Sequence, residues 1–137
     1  MRGVNRVMLI GNLGKDPDFQ QLEGNIAVAK FPLATTETFK DRTGKLVSQT
    51  EWHTVVLWRG LADLAQKYLH KGSLVYIEGR LKTRSWEDKE GVKKFATDVV
   101  GDNLIMLDKR TDHVTGKTEG HDPVSGYHGD DLPPIGE

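Results

Sequence analysis

The chain predicts an all-β fold with one short helix, built as a five-stranded Greek-key barrel and followed by a disordered acidic C-terminal tail. Three observations point there. Apolar side chains recur at alternate positions through several stretches before residue 108, as on strands with one buried face. A single stretch, Leu61–Lys71, switches to the helical period. From about Thr111 onward the hydrophobic pattern stops.

The first strand reads Val4–Asn12, apolar on both sides, with Gly11 and Gly14 breaking it. Asp16-Pro17-Asp18 has turn chemistry. Gly24-Asn25 opens a second strand, Ile26–Thr36, of β-branched residues and small alanines. Glu37–Gln49 is polar with Gly44 at a turn, and reads as the long loop of a hairpin leading into a strand at Thr50–Trp58. In Leu61–Lys71 the residues Leu61, Leu64, Ala65, Tyr68 and Leu69 form one helical stripe. Asp63 in its first turn and Lys67 and Lys71 near its last suit the helix dipole, and Gly72 supplies a left-handed stop. A strand at Val75–Trp86 follows, then a turn at Glu87–Gly91, then Lys93–Val100 and a short Leu104–Leu107 strand. Three strands, a helix, then two or three strands is the order of the OB-fold. That barrel commonly binds oligonucleotides on its outer sheet face and loops.

The total charge of −1 averages two unlike parts. Residues 1–110 carry 18 Lys/Arg against 14 Asp/Glu, and residues 111–137 carry one Lys against six Asp/Glu. The expected organisation is therefore a basic domain at 1–110 and a tail at 111–137, whose Gly, Pro, Thr, His and Asp content cannot offset the entropy of ordering. The chain has no cysteine, which excludes disulfides and thiolate metal sites and fits a reducing compartment. No apolar run approaches the roughly 20 residues of a membrane helix. Met1–Arg6 runs straight into a strand, without a signal-peptide pattern. A cytoplasmic protein with no membrane contact is expected.

The functional signal lies in the aromatics. Trp52, Thr54, Val56 and Trp58 share one strand face, with the two indoles about 20 Å apart at the usual strand rise. The opposite parity already supplies Val55 and Leu57 as core. In the Val75–Trp86 strand the odd positions Val75, Ile77, Gly79 and Leu81 face inward, while Arg80, Lys82, Arg84 and Trp86 face out. Phe39 sits in the polar loop among Lys40, Arg42 and Lys45. Aromatics beside cations suit single-stranded nucleic acid, whose bases stack and whose backbone is anionic. The predicted stacking residues are Phe39, Trp52, Trp58 and Trp86. The predicted phosphate contacts are Lys40, Arg42, Lys45, Arg59, Lys71, Lys82 and Arg84.

Enzyme chemistry is missing. Gly11-Asn12-Leu13-Gly14-Lys15-Asp16 has the wrong glycine spacing for a phosphate-binding loop, and an aspartate where Ser or Thr would bind magnesium. The histidines His53, His70, His113, His121 and His128 lack metal-ligand spacing. His53 shares the face of Val55 and Leu57 and reads as a buried or interface residue. No Ser–His–Asp or Cys–His set can be assembled, and no cofactor or metal is expected.

At Arg2-Gly3-Val4-Asn5-Arg6-Val7, Ile10-Gly11-Asn12-Leu13-Gly14, Thr50-Glu51-Trp52-His53, Lys71-Gly72-Ser73, Val75-Tyr76-Ile77-Glu78-Gly79 and Lys82-Thr83-Arg84-Ser85-Trp86, the chain resembles the bacterial-type single-stranded DNA-binding protein. The resemblance spans most of residues 2–110 and implies an OB-fold protomer, a homotetramer, and single-stranded DNA wrapped on aromatics in replication, recombination and repair. The family commonly has Trp at the position of Phe39 and Phe at that of Trp58; the two are exchanged here. It also places His53 near a subunit interface. The family ends in an acidic tip that docks replication and repair proteins. Asp130-Asp131-Leu132-Pro133 looks like that tip, although Pro134-Ile135-Gly136-Glu137 follows instead of a closing Pro-Phe. Two other classes share the barrel: a replication interaction module like primosomal protein N, and an RNA-binding protein of cold-shock type. The first is shorter and lacks a long acidic tail; the second is usually smaller, with its aromatics in short sheet motifs, and only the 2′-OH separates RNA from DNA as its ligand.

Overall fold

The computed structural model describes residues 2–108. The elements run β1 (Val7–Leu13), β2 (Asp18–Leu22), β3 (Ile26–Lys40), β4 (Leu46–Trp58), α1 (Gly60–Tyr68), β5 (Leu74–Glu87) and β6 (Lys93–Met106). The sheet order is β1-β5-β6-β4-β3-β2, and β1 pairs again with β3 at Asn12↔Ala34. Five strands thus close into the expected barrel, with β2 added on the free edge of β3. All pairings are antiparallel except β4 with β6, where Val55↔Val99 and Val56↔Val100 run parallel.

Closure needs close backbone approach. A Cβ on Gly11 would lie 2.2 Å from the Ala34 carbonyl oxygen, and one on Gly79 would lie 2.1 Å from that of Val100. No side chain fits at either place. Inside, Phe31, Leu33, Val55, Leu57, Val75 and Ile77 are buried, and Ala62, Ala65 and Leu69 cover them from the helix side. Burying each large apolar side chain contributes about 1.5–3 kcal/mol, so this odd-parity set is what makes the barrel fold.

Several boundaries differ from those expected. The stretch Glu37–Gln49 is not a long loop. The ladder between β3 and β4 continues to Lys40↔Leu46, leaving a tight turn. Its polar residues pair across the strands, with Thr36 and Thr50 hydroxyls 3.1 Å apart and those of Thr38 and Ser48 3.3 Å apart. Such pairs hold a ladder as well as apolar ones do. The segment after Asp16-Pro17 contains a strand, β2, that the pattern did not show. It is joined to β3 by Gly24 (φ 77°) and Asn25 (φ 61°), the left-handed pair a short hairpin turn favours. The strands Lys93–Val100 and Leu104–Leu107 are one strand, β6. Its ladder with β5 absorbs an irregularity where Glu78↔Asn103 gives way to Gly79↔Gly101.

The helix ends at Tyr68, three residues short of Lys71. Leu69 is already extended (φ −95°, ψ 148°), because its side chain turns back into the core. Gly72 does adopt φ 92°, but in the turn after the helix rather than at its end. Tyr68, expected on the buried stripe, is exposed, and the buried residues of the helix are Ala62 and Ala65. The predicted tail at 111–137, including Asp130, Asp131, Leu132 and Pro133, lies outside the described residues.

Candidate nucleic-acid interface

The register fixes which face each candidate occupies. Directly paired residues project to the same side of a sheet. Trp52 pairs with Ala34, Val56 with Lys30 on one side and Val100 on the other, and Trp58 with Val28. Val100 in turn pairs with Arg80, Asp98 with Lys82, Ala96 with Arg84 and Lys94 with Trp86. One continuous outer face therefore carries Trp52, Trp58, Lys82, Arg84 and Trp86. Val56 and Val100 form its apolar floor. The three indoles are 57%, 41% and 43% exposed in chain order, while Val55 and Leu57 of the opposite parity are fully buried. In β5 Val75, Ile77 and Gly79 are buried as expected, but Leu81, expected to face inward with them, is 50% exposed, because the β5–β6 ribbon leaves the barrel beyond the irregularity at Glu78 and Gly79.

Trp52 has a defined seat. A Cβ on Gly14 would lie 2.6 Å from Cζ3 of its indole, so the ring edge rests over bare glycine backbone, with Pro32 beside it. A cleft of about 370 Å³ beside the ring is lined by Asn12, Gly14, Ala34, Trp52, Lys71 and Gly72. Lys71 is brought there by its own backbone amide, which donates to Asp16 Oδ1 at 2.8 Å. Asp16 is thus a loop anchor, not part of a phosphate-binding loop.

Trp86 is seated differently. The Arg84 guanidinium lies 5.1 Å from the indole centroid, and its Nε donates to Asp98 Oδ2 at 2.8 Å. Asp98 is buried. Arg84 is therefore held by a carboxylate as well as by the ring, which makes it an orienting residue for Trp86 in addition to a cation on the surface.

Phe39 is not grouped with the indoles. It pairs with Val47, on the opposite side of the β3–β4 ribbon from Trp52. It is 43% exposed near the hairpin tip, beyond the reach of the core. Lys40 is on the Trp52 side, and Arg42 and Lys45 are in the turn.

The two hairpin tips are built alike, a likeness the sequence reading did not draw. Asp41 Oδ1 accepts from the amides of Thr43 (2.8 Å) and Lys45 (3.0 Å), with Gly44 at φ 86°. Asp88 Oδ1 accepts from the amides of Glu90 and Val92, both at 2.9 Å, with Gly91 at φ 79°. In each, an aromatic stands two residues before the aspartate: Phe39 and Trp86. The Thr43 hydroxyl, then the Lys45 amide, hold the Asp41 carboxyl below its ordinary pKa. A depressed carboxylate supports the turn at neutral pH and releases it only as acid protonates it.

Sequence reasoning missed Lys30, exposed on the outer face between Trp52 and Trp58. Its signal was available, since Lys30 interrupts an apolar strand. It also missed the backbone of Arg59. This residue precedes α1 at φ 57°, ψ −122°, a conformation that favours glycine, and its amide donates to Ala27 O at 2.7 Å. Holding a side chain there costs about 1–3 kcal/mol. Arg59→Gly is expected to raise stability by about 1 kcal/mol, seen as a higher melting temperature, while lowering affinity for an anionic strand at low salt. Lower stability would show that the Arg59 side chain holds the β4–α1 junction.

Residues 4–107 match the model of the single-strand binding protein family. A curated relative, single-stranded DNA-binding protein 1 of Chlorobaculum tepidum, is 53% identical over 107 residues. That match covers 77% of this chain and 66% of the relative, just under two thirds of its length. Among solved structures, a Plasmodium falciparum SSB complex with ssDNA superposes with a TM-score of 0.74 at 39% identity, covering 79% of this chain and 98% of that one.

Proposed function

The chain belongs to the single-strand binding protein family, and from that premise we propose that it binds and protects single-stranded DNA without regard to sequence, in replication, recombination and repair. The observation that carries this reading is the single outer face holding Trp52, Trp58 and Trp86 with Lys30, Lys82 and Arg84. Bases stack on the indoles, the cations meet phosphates, and any base is accepted because every base has a π face. Binding is the whole activity; no bond is made or broken. Quenching of tryptophan fluorescence during titration with oligo-dT tests it. Equal affinity for duplex of the same length would overturn it, and tighter binding to a matched RNA oligomer would move it to RNA.

The working form we propose is a homotetramer. Met8, Ile10, Tyr76 and Ile105 share another outer face through the pairs Met8↔Glu78, Ile10↔Tyr76 and Tyr76↔Ile105. Met8, Ile10 and Ile105 are exposed there, and adjoining exposed apolar residues support contact with another copy of the chain. His53 lines a neighbouring cleft with Met8 and Ile10, its Nε2 2.9 Å from the Thr35 hydroxyl. Ile10→Glu would place a charge in that contact and is expected to lower the mass in sedimentation below that of a tetramer. An unchanged mass would remove this face from the assembly. The proposal includes a cytoplasmic, nucleoid-associated setting and docking of replication and repair proteins by Asp130-Asp131-Leu132-Pro133, which a pull-down with and without residues 111–137 tests.

A further inference from the structure

We propose that Phe95 is an additional base-stacking station, on the face of the β5–β6 ribbon opposite Trp86. It rests on the single-stranded DNA reading above and extends the bound path to a face that reading does not use.

Phe95 pairs with Ser85, one step from the pair Trp86↔Lys94, so the two rings stand on opposite sides of the same two strands. The ribbon extends past the barrel here: every residue from Arg80 to Glu87 is exposed except in its main-chain pairing, as are Lys93, Lys94 and Phe95. No core lies beneath Phe95. It is 65% exposed, more than Phe39, Trp52, Trp58 or Trp86. A phenyl ring has no polar edge to satisfy with water, so its placement there asks for an occupant.

Its surroundings favour a nucleotide. The Lys93 ammonium lies 5.8 Å from the Phe95 centroid, the counterpart of Arg84 at 5.1 Å from Trp86. Each face of the ribbon thus presents a ring beside a cation, the pairing that receives a base and its phosphate. Next to the ring on the Phe95 side are Ser85, Thr83 and Thr97, with Thr83 and Thr97 hydroxyls 3.2 Å apart; Leu81, 50% exposed, follows toward the barrel and the pair Glu87↔Lys93 toward the turn.

The test uses the full chain with fluorescein-labelled oligo-dT, comparing Phe95→Ala, Phe95→Leu and Phe95→Tyr with Trp52→Ala. Phe95→Ala and Phe95→Leu are expected to bind about tenfold more weakly, because neither keeps a ring. Phe95→Tyr should bind within a factor of about two of the parent, with all melting temperatures unchanged. If Phe95→Leu binds like the parent, apolar bulk rather than stacking is all the site offers, and the proposal fails. If Trp52→Ala weakens binding and Phe95→Ala does not, this station is lost and the DNA-binding reading stands. If neither weakens it, that reading falls too. A change in assembly mass with Phe95→Ala would make the ring a contact between copies of this chain, which also overturns the proposal.

Discussion

Replacing Trp52 with alanine is expected to weaken binding to oligo-dT by tenfold to a hundredfold, a loss of about 1–3 kcal/mol, with no loss of thermal stability. The physical basis is the position of the ring. Trp52 is the most exposed of the three indoles, and its side of β4 is not the side that fills the barrel. Removing it leaves Leu33, Val55 and Leu57 packed as before. The effect should exceed that of an equally exposed ring without support, because the bare backbone of Gly14 and the Pro32 ring fix the indole edge. A preset ring loses little freedom when a base arrives. Gly14→Ala tests that from the other side: its methyl would enter the space of Cζ3 and lift the indole, lowering affinity several-fold with Trp52 intact. A large fall in melting temperature for Trp52→Ala, with affinity unchanged, would show instead that the indole belongs to the fold. Trp58→Ala should give a similar loss of binding.

What was legible in the sequence follows from which interactions are local in the chain. The parity of β4 and β5 could be read because alternate positions of a single strand must divide between two faces. The union of those faces could not, since it depends on β4 and β6 pairing in parallel at Val55↔Val99, more than forty residues apart in the chain. The closed barrel was legible only from the order of elements. Strand β2 was missed because Asp18–Leu22 has a single half-buried apolar residue, Phe19, and is held by its ladder to β3 rather than by a buried face. The β3–β4 hairpin was read too short for a related reason: beyond the barrel its residues meet water on both sides, so no alternation marks them. The same loss of pattern hid Phe95. Exposed rings on a projecting ribbon look, in sequence, like ordinary strand residues. The backbone conformation of Arg59 left no trace, because Gly60 beside it would satisfy any expectation of a turn.

Salt should weaken binding steeply, with log affinity falling against log salt by about 0.7 for each phosphate neutralised. Were four cations to contact phosphate, a fourfold rise in salt would cost about fiftyfold in affinity. The structure separates the candidates by what else they hold. Lys71, beside Trp52, and Lys82, on the outer face, are exposed, so Lys71→Gln and Lys82→Gln should each reduce the slope by about 0.7 and leave stability alone. Arg84 differs. Its Nε donates to Oδ2 of Asp98, which is 6% exposed and whose Oδ1 has no partner among the described residues, so Arg84→Gln strands a buried carboxylate. That variant is expected to lose about 1–3 kcal/mol of stability as well as affinity, and to lose affinity at high salt too, because Trp86 is no longer oriented. Arg84→Lys keeps the charge without the planar fork and should recover the slope but not the stability. Titrations at several salt concentrations, read beside thermal melts, check all four variants together. A slope near zero for the parent chain would mean that stacking alone holds the strand. An Arg84→Gln variant as stable as the parent would mean that Asp98 finds another partner.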